Sequence, residues 1–258
     1  MIQDILIRNK ILFRLGAVHF ILFALLFGYS FFNETLVLGI NSMIKPMKFA
    51  LSIGVYSWTM ALILHFVNDV RQVKIYAWTA VICLGFEQFA ITLQAVRGVQ
   101  SHYNKTDVFG IVLYALMGVF IGTITLWTGF MTSIFIKQKT YNMPLAVSLG
   151  IKIGLIYCVI FSLFGGYVSG LDGHTVGAKD GGEGLWFLNW SPQFGDLRVA
   201  HFFGIHSLQI LPLFAILIEK EVKTNVSIKA VWLFSLVYLA FVGFTLLQGL
   251  SGVPFIRF

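Results

Sequence analysis

Apolar residues run without alternation for about 20 positions near 11–32, 46–67, 75–97, 108–135, 144–168, 199–218 and 230–250, separated by short polar connections. A helix rises 1.5 Å per residue, so each run is long enough to cross roughly 30 Å of hydrocarbon. In lipid the backbone must satisfy its own hydrogen bonds, which leaves helices or a closed barrel. Barrel strands would alternate over ~10 residues, and these runs do not. The pattern therefore predicts an all-α fold: an integral membrane bundle of seven transmembrane helices, one domain over residues 1–258, with one long extracytoplasmic loop over 169–198.

Polar residues within the runs keep helical spacing. Lys45, Lys48, Ser52, Tyr56 and Thr59 recur at three- and four-residue steps in the second run, which Lys45-Pro46 opens with a proline tolerated in a first turn. Glu87, Gln94, Arg97 and Ser101 repeat the pattern in the third run, and Ser235, Tyr238, Thr245 and Gln248 form a weaker stripe in the seventh. An isolated carboxylate at the depth of Glu87 would neutralise, so Glu87 is expected to face inward with Lys48 or Arg97 as partner. Gly118/Gly122 and Gly150/Gly154 read as packing notches between helices. No internal repeat stands out.

Composition agrees with a lipid environment: 58% of residues are hydrophobic and 11% charged. The net charge of +7 is spread in short clusters between apolar runs, which excludes a nucleic-acid surface and reads instead as a topology signal. Arg8, Lys10, Arg14, then Arg71 and Lys74, Lys137 and Lys139, and Lys220, Lys223 and Lys229 fall on alternate connections. The positive-inside rule makes that side cytoplasmic, with the N-terminus inside and the C-terminus outside. The first run continues past Phe31 without a small-residue cleavage site and reads as an uncleaved span. Cys83 and Cys158 sit inside apolar runs as packing residues. The outer side nevertheless keeps Lys45, Lys48, Arg97, Lys105, Lys179, Arg198 and Arg257, more cations than topology favours, and an Asn104-Lys105-Thr106 sequon.

Chemistry concentrates between Ser169 and Gln209, which hold three of the six histidines and four of the eleven acids. Gly173, Gly177, Gly181, Gly182 and Gly184 make this loop a candidate lid, seated by Trp186, Phe187 and Trp190, and Asp196 is placed to cap the sixth helix. Ionisable groups at membrane depth usually face a cavity or one another. The candidate ligand-binding residues are therefore Lys45, Lys48, Glu87, Gln94, Arg97, Ser101, Asp196, Arg198 and Gln209. His102, His174, His201 and His206, with Asp180, Glu183 or Asp196, are candidate ligands for a transition metal such as zinc. Two of these histidines from different helices, with Lys45, Arg97 or Arg198 on the propionates, would alternatively hold a haem. His201 and His206 are five residues apart, roughly 140° around a helix, so they do not form an i, i+4 metal pair. His19 and His65 fall toward the cytoplasmic half. Lys152 lies near the start of the fifth run and the seventh run, 230–250, contains no lysine, which disfavours a retinal site.

At KPMKFALSIG (45–54), QAVRGVQSHYN (94–104), HTVGAKDGG (174–182) and GDLRVAHFFGIHSLQ (195–209) the chain resembles an uncharacterised group of bacterial multi-span membrane proteins. That resemblance implies a bacterial cytoplasmic membrane and brings no activity. Ser101-His102, Asp196 and the two helix-6 histidines are loosely similar to the zinc site of the seven-span hydrolases that include alkaline ceramidases and the progestin and adipoQ receptors. The final-helix HxxxH of that family is absent, and the assignment is not adopted.

Three functions fit these residues. The first is a metal- or haem-dependent oxidoreductase or hydrolase acting on a small or lipidic ligand at the outer leaflet. The second is an anion or proton-coupled transporter or pore using the same basic vestibule. The third is a receptor or assembly subunit without turnover, as monomer or homo-oligomer.

Overall fold

The computed structural model describes residues 9–104, 107–171 and 173–257; Arg8, and Lys105 and Thr106 of the sequon, lie outside these. Among the described residues seven helices are long and apolar enough to cross a membrane. They are α1 Lys10–Ser30, α2 Ile44–Leu64, α3 Val70–Val96, α4 Val108–Lys137, α5 Leu145–Gly170, α6 Leu197–Glu221 and α7 Thr224–Leu250. Two short antiparallel hairpins accompany them, β1 Leu36–Val37 with β2 Ile40–Asn41 and β3 Thr175–Val176 with β4 Gly195–Asp196. The protein is an all-α integral membrane protein. Large apolar side chains such as Leu25, Val119, Leu126, Leu163 and Leu236 stand exposed on its helices, where only lipid would cover them. Helix α3 begins five residues before its apolar run because Asp69 caps it, accepting from the Gln72 N–H at 3.0 Å.

Contacts divide the chain into two compact units. The first takes Met1–His65, Asp69–Ile124 and Lys179–Asn189, and the second Phe66–Asn68, Thr125–Ala178 and Trp190–Phe258. In the first, α1 and α2 cross closely at glycines. A Cβ on Gly54 would lie 2.7 Å from the Phe20 ring and one on Gly16 would lie 2.3 Å from Trp58. Trp58 stacks on Phe13 and donates to its carbonyl at 3.1 Å. In the second unit α5 and α6 cross the same way. A Cβ on Gly204 would lie 2.0 Å from Phe161, one on Gly154 2.8 Å from the Ser207 carbonyl, and one on Gly150 2.7 Å from Ala215. The Gly150/Gly154 pair is thus the notch its spacing predicts. Gly118 and Gly122 have no described atom within 4 Å of an added Cβ, so that pair packs against nothing in the described chain.

The two units share one plan, which corrects the expectation that the chain lacks a repeat. Each runs helix, hairpin, helix, helix: α1, β1–β2, α2, α3 and then α5, β3–β4, α6, α7. Residues with matching roles recur in register. Val18, Phe20, Leu22 and Phe23 correspond to Val159, Phe161, Leu163 and Phe164. Lys48, Ala50, Gly54 and Ser57 correspond to Arg198, Ala200, Gly204 and Ser207, with both alanines, both glycines and both serines buried. The third helices end identically. Gly98 at φ 69° donates to Ala95 and Val99 donates to Gln94, each at 3.1 Å; Gly252 at φ 73° donates to Gly249 and Val253 donates to Gln248, each also at 3.1 Å. A left-handed glycine at this place is the usual way to close a helix C-terminus.

Candidate functional site

In the second unit the polar centre is the start of α6. Asp196, 2% exposed, caps the helix by accepting the Arg198 N–H at 3.0 Å, as its position in the sequence predicts. The Arg198 guanidinium returns to both carboxylate oxygens, at 3.0 and 2.7 Å, and the Ser191 N–H donates at 3.1 Å. His174 lies 3.8 Å away, its carbonyl accepting from the Leu197 N–H at 3.0 Å. Burial alone would raise the Asp196 carboxyl, but Arg198, His174 and the Ser191 N–H together hold it below the usual carboxylate range. A carboxylate with this many donors is a stable ionised group in a dry place.

The remaining candidates of this unit serve its packing. His201 donates from Nδ1 to the Phe161 carbonyl at 2.8 Å, its ring filling the space that a side chain on Gly165 would need. The His206 ring packs tilted against Phe202, with Nδ1 3.2 Å from Gln209 Oε1. Trp190 is buried against Phe202, Phe203 and Phe255, a core residue and not an interfacial anchor. The α7 stripe is spent on backbone carbonyls: Tyr238 donates to Phe203 on α6 at 2.6 Å, Ser235 to Trp232, Thr245 to Val242, and Gln248 to Pro254.

In the first unit the polar centre is the start of α2. Gln88 Nε2 donates to the Pro46 carbonyl at 3.3 Å, which sets the first turn of α2 level with Glu87 and Gln88 on α3. Nine residues of chain, or about 13 Å of helix, remain from there to Arg97. Glu87 is 3% exposed, and the charge that acts on it is that of Lys45. The expected partners, Lys48 and Arg97, make other bonds. Lys48 reaches the Leu188 carbonyl at 3.2 Å, and Arg97 holds Gln94 Oε1 and Asp107, each at 2.6 Å. Asp107 caps α4 through the Gly110 N–H; that bond and Arg97 hold its carboxyl low. Ser101 is 3.2 Å from His102 Nδ1, and the His102 ring packs among Phe49, Tyr103 and Tyr114.

The long loop does not act as one lid. Lys179–Asn189 belongs to the first unit, where Gly182 donates to Leu38 at 3.0 Å and Phe187, on a short 3-10 turn over 186–188, joins the cluster of Leu26, Met43, Met47 and Ala95. Trp186 is 87% exposed. Positive φ at Gly177, Gly181 and Gly182 supplies the turns. The loop's histidine and its acids consequently part: His174 lies in the second unit, Asp180 and Glu183 in the first. Of the proposed metal ligands, His102 belongs to the first unit and His174, His201 and His206 to the second. Among the described residues no three His, Cys, Asp or Glu side chains gather where one ion could be held.

Sequence reasoning missed Gln88 as the residue that sets the level of α2. A cavity of about 330 Å³ between β1 and the chain leaving α3, lined by Leu36–Leu38, Gly98–Gln100, Tyr103 and Asn104, was also invisible in the sequence. Leu38 and Tyr103, which line it, adopt positive φ, a strain that side chains seldom carry without cause. No match to this chain is found among protein-family models, curated proteins or solved structures.

Proposed function

We propose that the chain is a transporter of a small anion, the second of the three functions read from its residues. The observation that supports it most is the repeated three-helix unit, since many secondary transporters are built from repeated helical units. The charge favours an anion. Lys45, whose charge acts on the buried Glu87, and Lys48 both fall within the first five residues of α2. In a bacterial cytoplasmic membrane, the Lys/Arg pattern puts the N-terminus inside, the C-terminus outside, and the start of α2 on the outer face. Purified protein in liposomes should take up labelled small anions saturably. Vesicles that accumulate none of a panel of organic and inorganic anions refute the reading, and so does a reporter after Phe258 that works only in the cytoplasm.

One observation favours the cofactor-bearing alternative. His201 donates from Nδ1 to a backbone carbonyl, which leaves the lone pair on Nε2, the tautomer that metal-ligating histidines commonly use. A Soret band or stoichiometric metal in the purified protein would restore that reading.

A further inference from the structure

Among the described residues two acids are deeply buried, one in each unit, and their surroundings differ. Asp196 is 2% exposed and Glu87 3%. Asp196 receives the Arg198 guanidinium and the N–H groups of Arg198 and Ser191, with His174 close by. Glu87 receives no hydrogen bond among the described residues, and the charge that favours its ionised form is that of Lys45. It also stands near the centre of the apolar run 75–97, with at least about 15 Å of helix on either side. A carboxylate with so few donors at that depth is costly to keep charged, and taking up a proton relieves the cost.

The repeat shows that packing does not require an acid there. The third helices align through their ends, Gln94 with Gln248 and Gly98 with Gly252, so Phe241 stands at the place of Glu87, Val237 at that of Cys83 and Ala230 at that of Tyr76. The second unit builds the same three-helix plan with apolar residues at these positions. In the first unit the polar interior continues along the bundle. Helices α1 and α2 cross over Gly16–Phe20 and Gly54–Trp58, and within that crossing His19 Nε2 and Ser57 Oγ are buried without a partner among the described residues. Tyr56, beside Ser57, meets Tyr76 of α3 with their hydroxyls 2.6 Å apart. The second unit has Ile160 in place of His19, and its Ser207 is bonded to the Gly154 carbonyl.

We infer that Glu87 is a proton-binding site inside the membrane, and that its proton is the coupling ion of the proposed anion transporter. The first statement stands without the transport reading; the second rests on it. The step is one O–H bond made or broken at the carboxyl, with water as the donor or acceptor of the proton. A proton suits the place better than a metal cation, which would need several oxygen ligands beside the Lys45 charge. That charge compensates the bare carboxylate, so the site can release its proton as well as bind it. The other ionisable groups of this interior are Cys83 on α3 and, further along the bundle, His19 on α1; α4 brings only Tyr114 between 109 and 131.

The test has two parts, both on the full-length protein in phosphatidylcholine bilayers. Infrared difference spectra between about pH 5.5 and about pH 9, above the range near 4 where exposed carboxyls titrate, should show a protonated-carboxyl band traded for carboxylate bands. Glu87→Gln should lack the trade and His19→Asn should keep it. In liposomes held alkaline inside by about one pH unit, a labelled monovalent anion moving with one proton should accumulate about tenfold, with chloride and gluconate as probes read against protein-free vesicles. Glu87→Gln should accumulate none while still exchanging labelled for unlabelled anion. No titrating carboxyl band in the wild type overturns the inference, as does a band or a tenfold accumulation retained in Glu87→Gln. Should Glu87→Gln not fold, Glu87→Asp decides: the band should persist at a shifted frequency, and an unshifted band overturns the assignment. A band without uptake of any anion would overturn the transport reading and leave the proton site; uptake without a band would do the reverse.

Discussion

In the second unit the helix after the hairpin begins on Asp196, whose carboxylate is gripped by Arg198, Ser191 and the helix itself. In the first it begins on Met43, with two lysines following, and on the facing helix the buried Gln94 Nε2 has no partner among the described residues. The helix crossings beneath are alike, down to the phenylalanine lying over each glycine. One scaffold is thus used once with its outer end closed by its own side chains and once with that end polar and uncapped. Packing specifies the three-helix unit in both copies, and the first turn of the second helix is where the copies are free to differ.

The largest expected break in that comparison is Asp196→Ala. Removing one member of a buried ion pair typically costs about 3–5 kcal/mol, and unfolding should show it, whereas Asn41→Ala removes only neutral bonds and should cost about a third as much. The same carboxyl sets an acid limit. Its folded pKa is depressed, so its contribution is complete above the ordinary unfolded value of about 3.9 and disappears as the pH falls through the lower folded value. Wild-type stability should drop in that acid window and Asp196→Asn should lack the drop; equal acid profiles would remove Asp196 from the account.

Gly204→Ala comes next, at about 2 kcal/mol, because the new Cβ meets Phe161 at its Cβ and Cγ, the end fixed to the backbone. Gly54→Ala meets only the edge of the Phe20 ring, which can turn aside, and should cost less. The reverse order in denaturant titrations would contradict the equivalence of the two crossings. The smallest contrast is between the paired serines. Ser207 donates to the Gly154 carbonyl at 3.1 Å, so Ser207→Ala should lose about 1 kcal/mol. Ser57 Oγ is buried without a partner among the described residues, and Ser57→Ala should be neutral or stabilising.

The seven spans were legible because apolar run length decides them directly, and the Asp196 cap because the residue type and its position before an apolar helix suffice. The repeat was not. Its shared residues are few, and the copies differ in length at two points, a two-residue against an eighteen-residue hairpin connection and the added turn before Lys48, so no fixed period survives. The charge of Lys45 acting on Glu87 was not legible for a related reason. Helical spacing orders residues along one helix, but the level at which α2 meets α3 is set by contacts such as Gln88 to Pro46, which no spacing within either helix reveals. Three of the histidines looked like a set because they are close in sequence, but the fourth, His102, belongs to the other unit, and the division of the loop parts His174 from Asp180 and Glu183.

Phe187 and Leu188, which complete the first unit's core and receive Lys48, are encoded after all of α5 and the second hairpin's first strand. On the ribosome, α1 to α3 therefore emerge and enter the membrane long before the piece that finishes them. A nascent chain arrested near residue 130 should expose its first unit to protease at the start of α2, and one arrested with residue 189 outside the exit tunnel should protect it. Biogenesis of the first half is in this sense a late event, timed by a segment that belongs to the translation of the second.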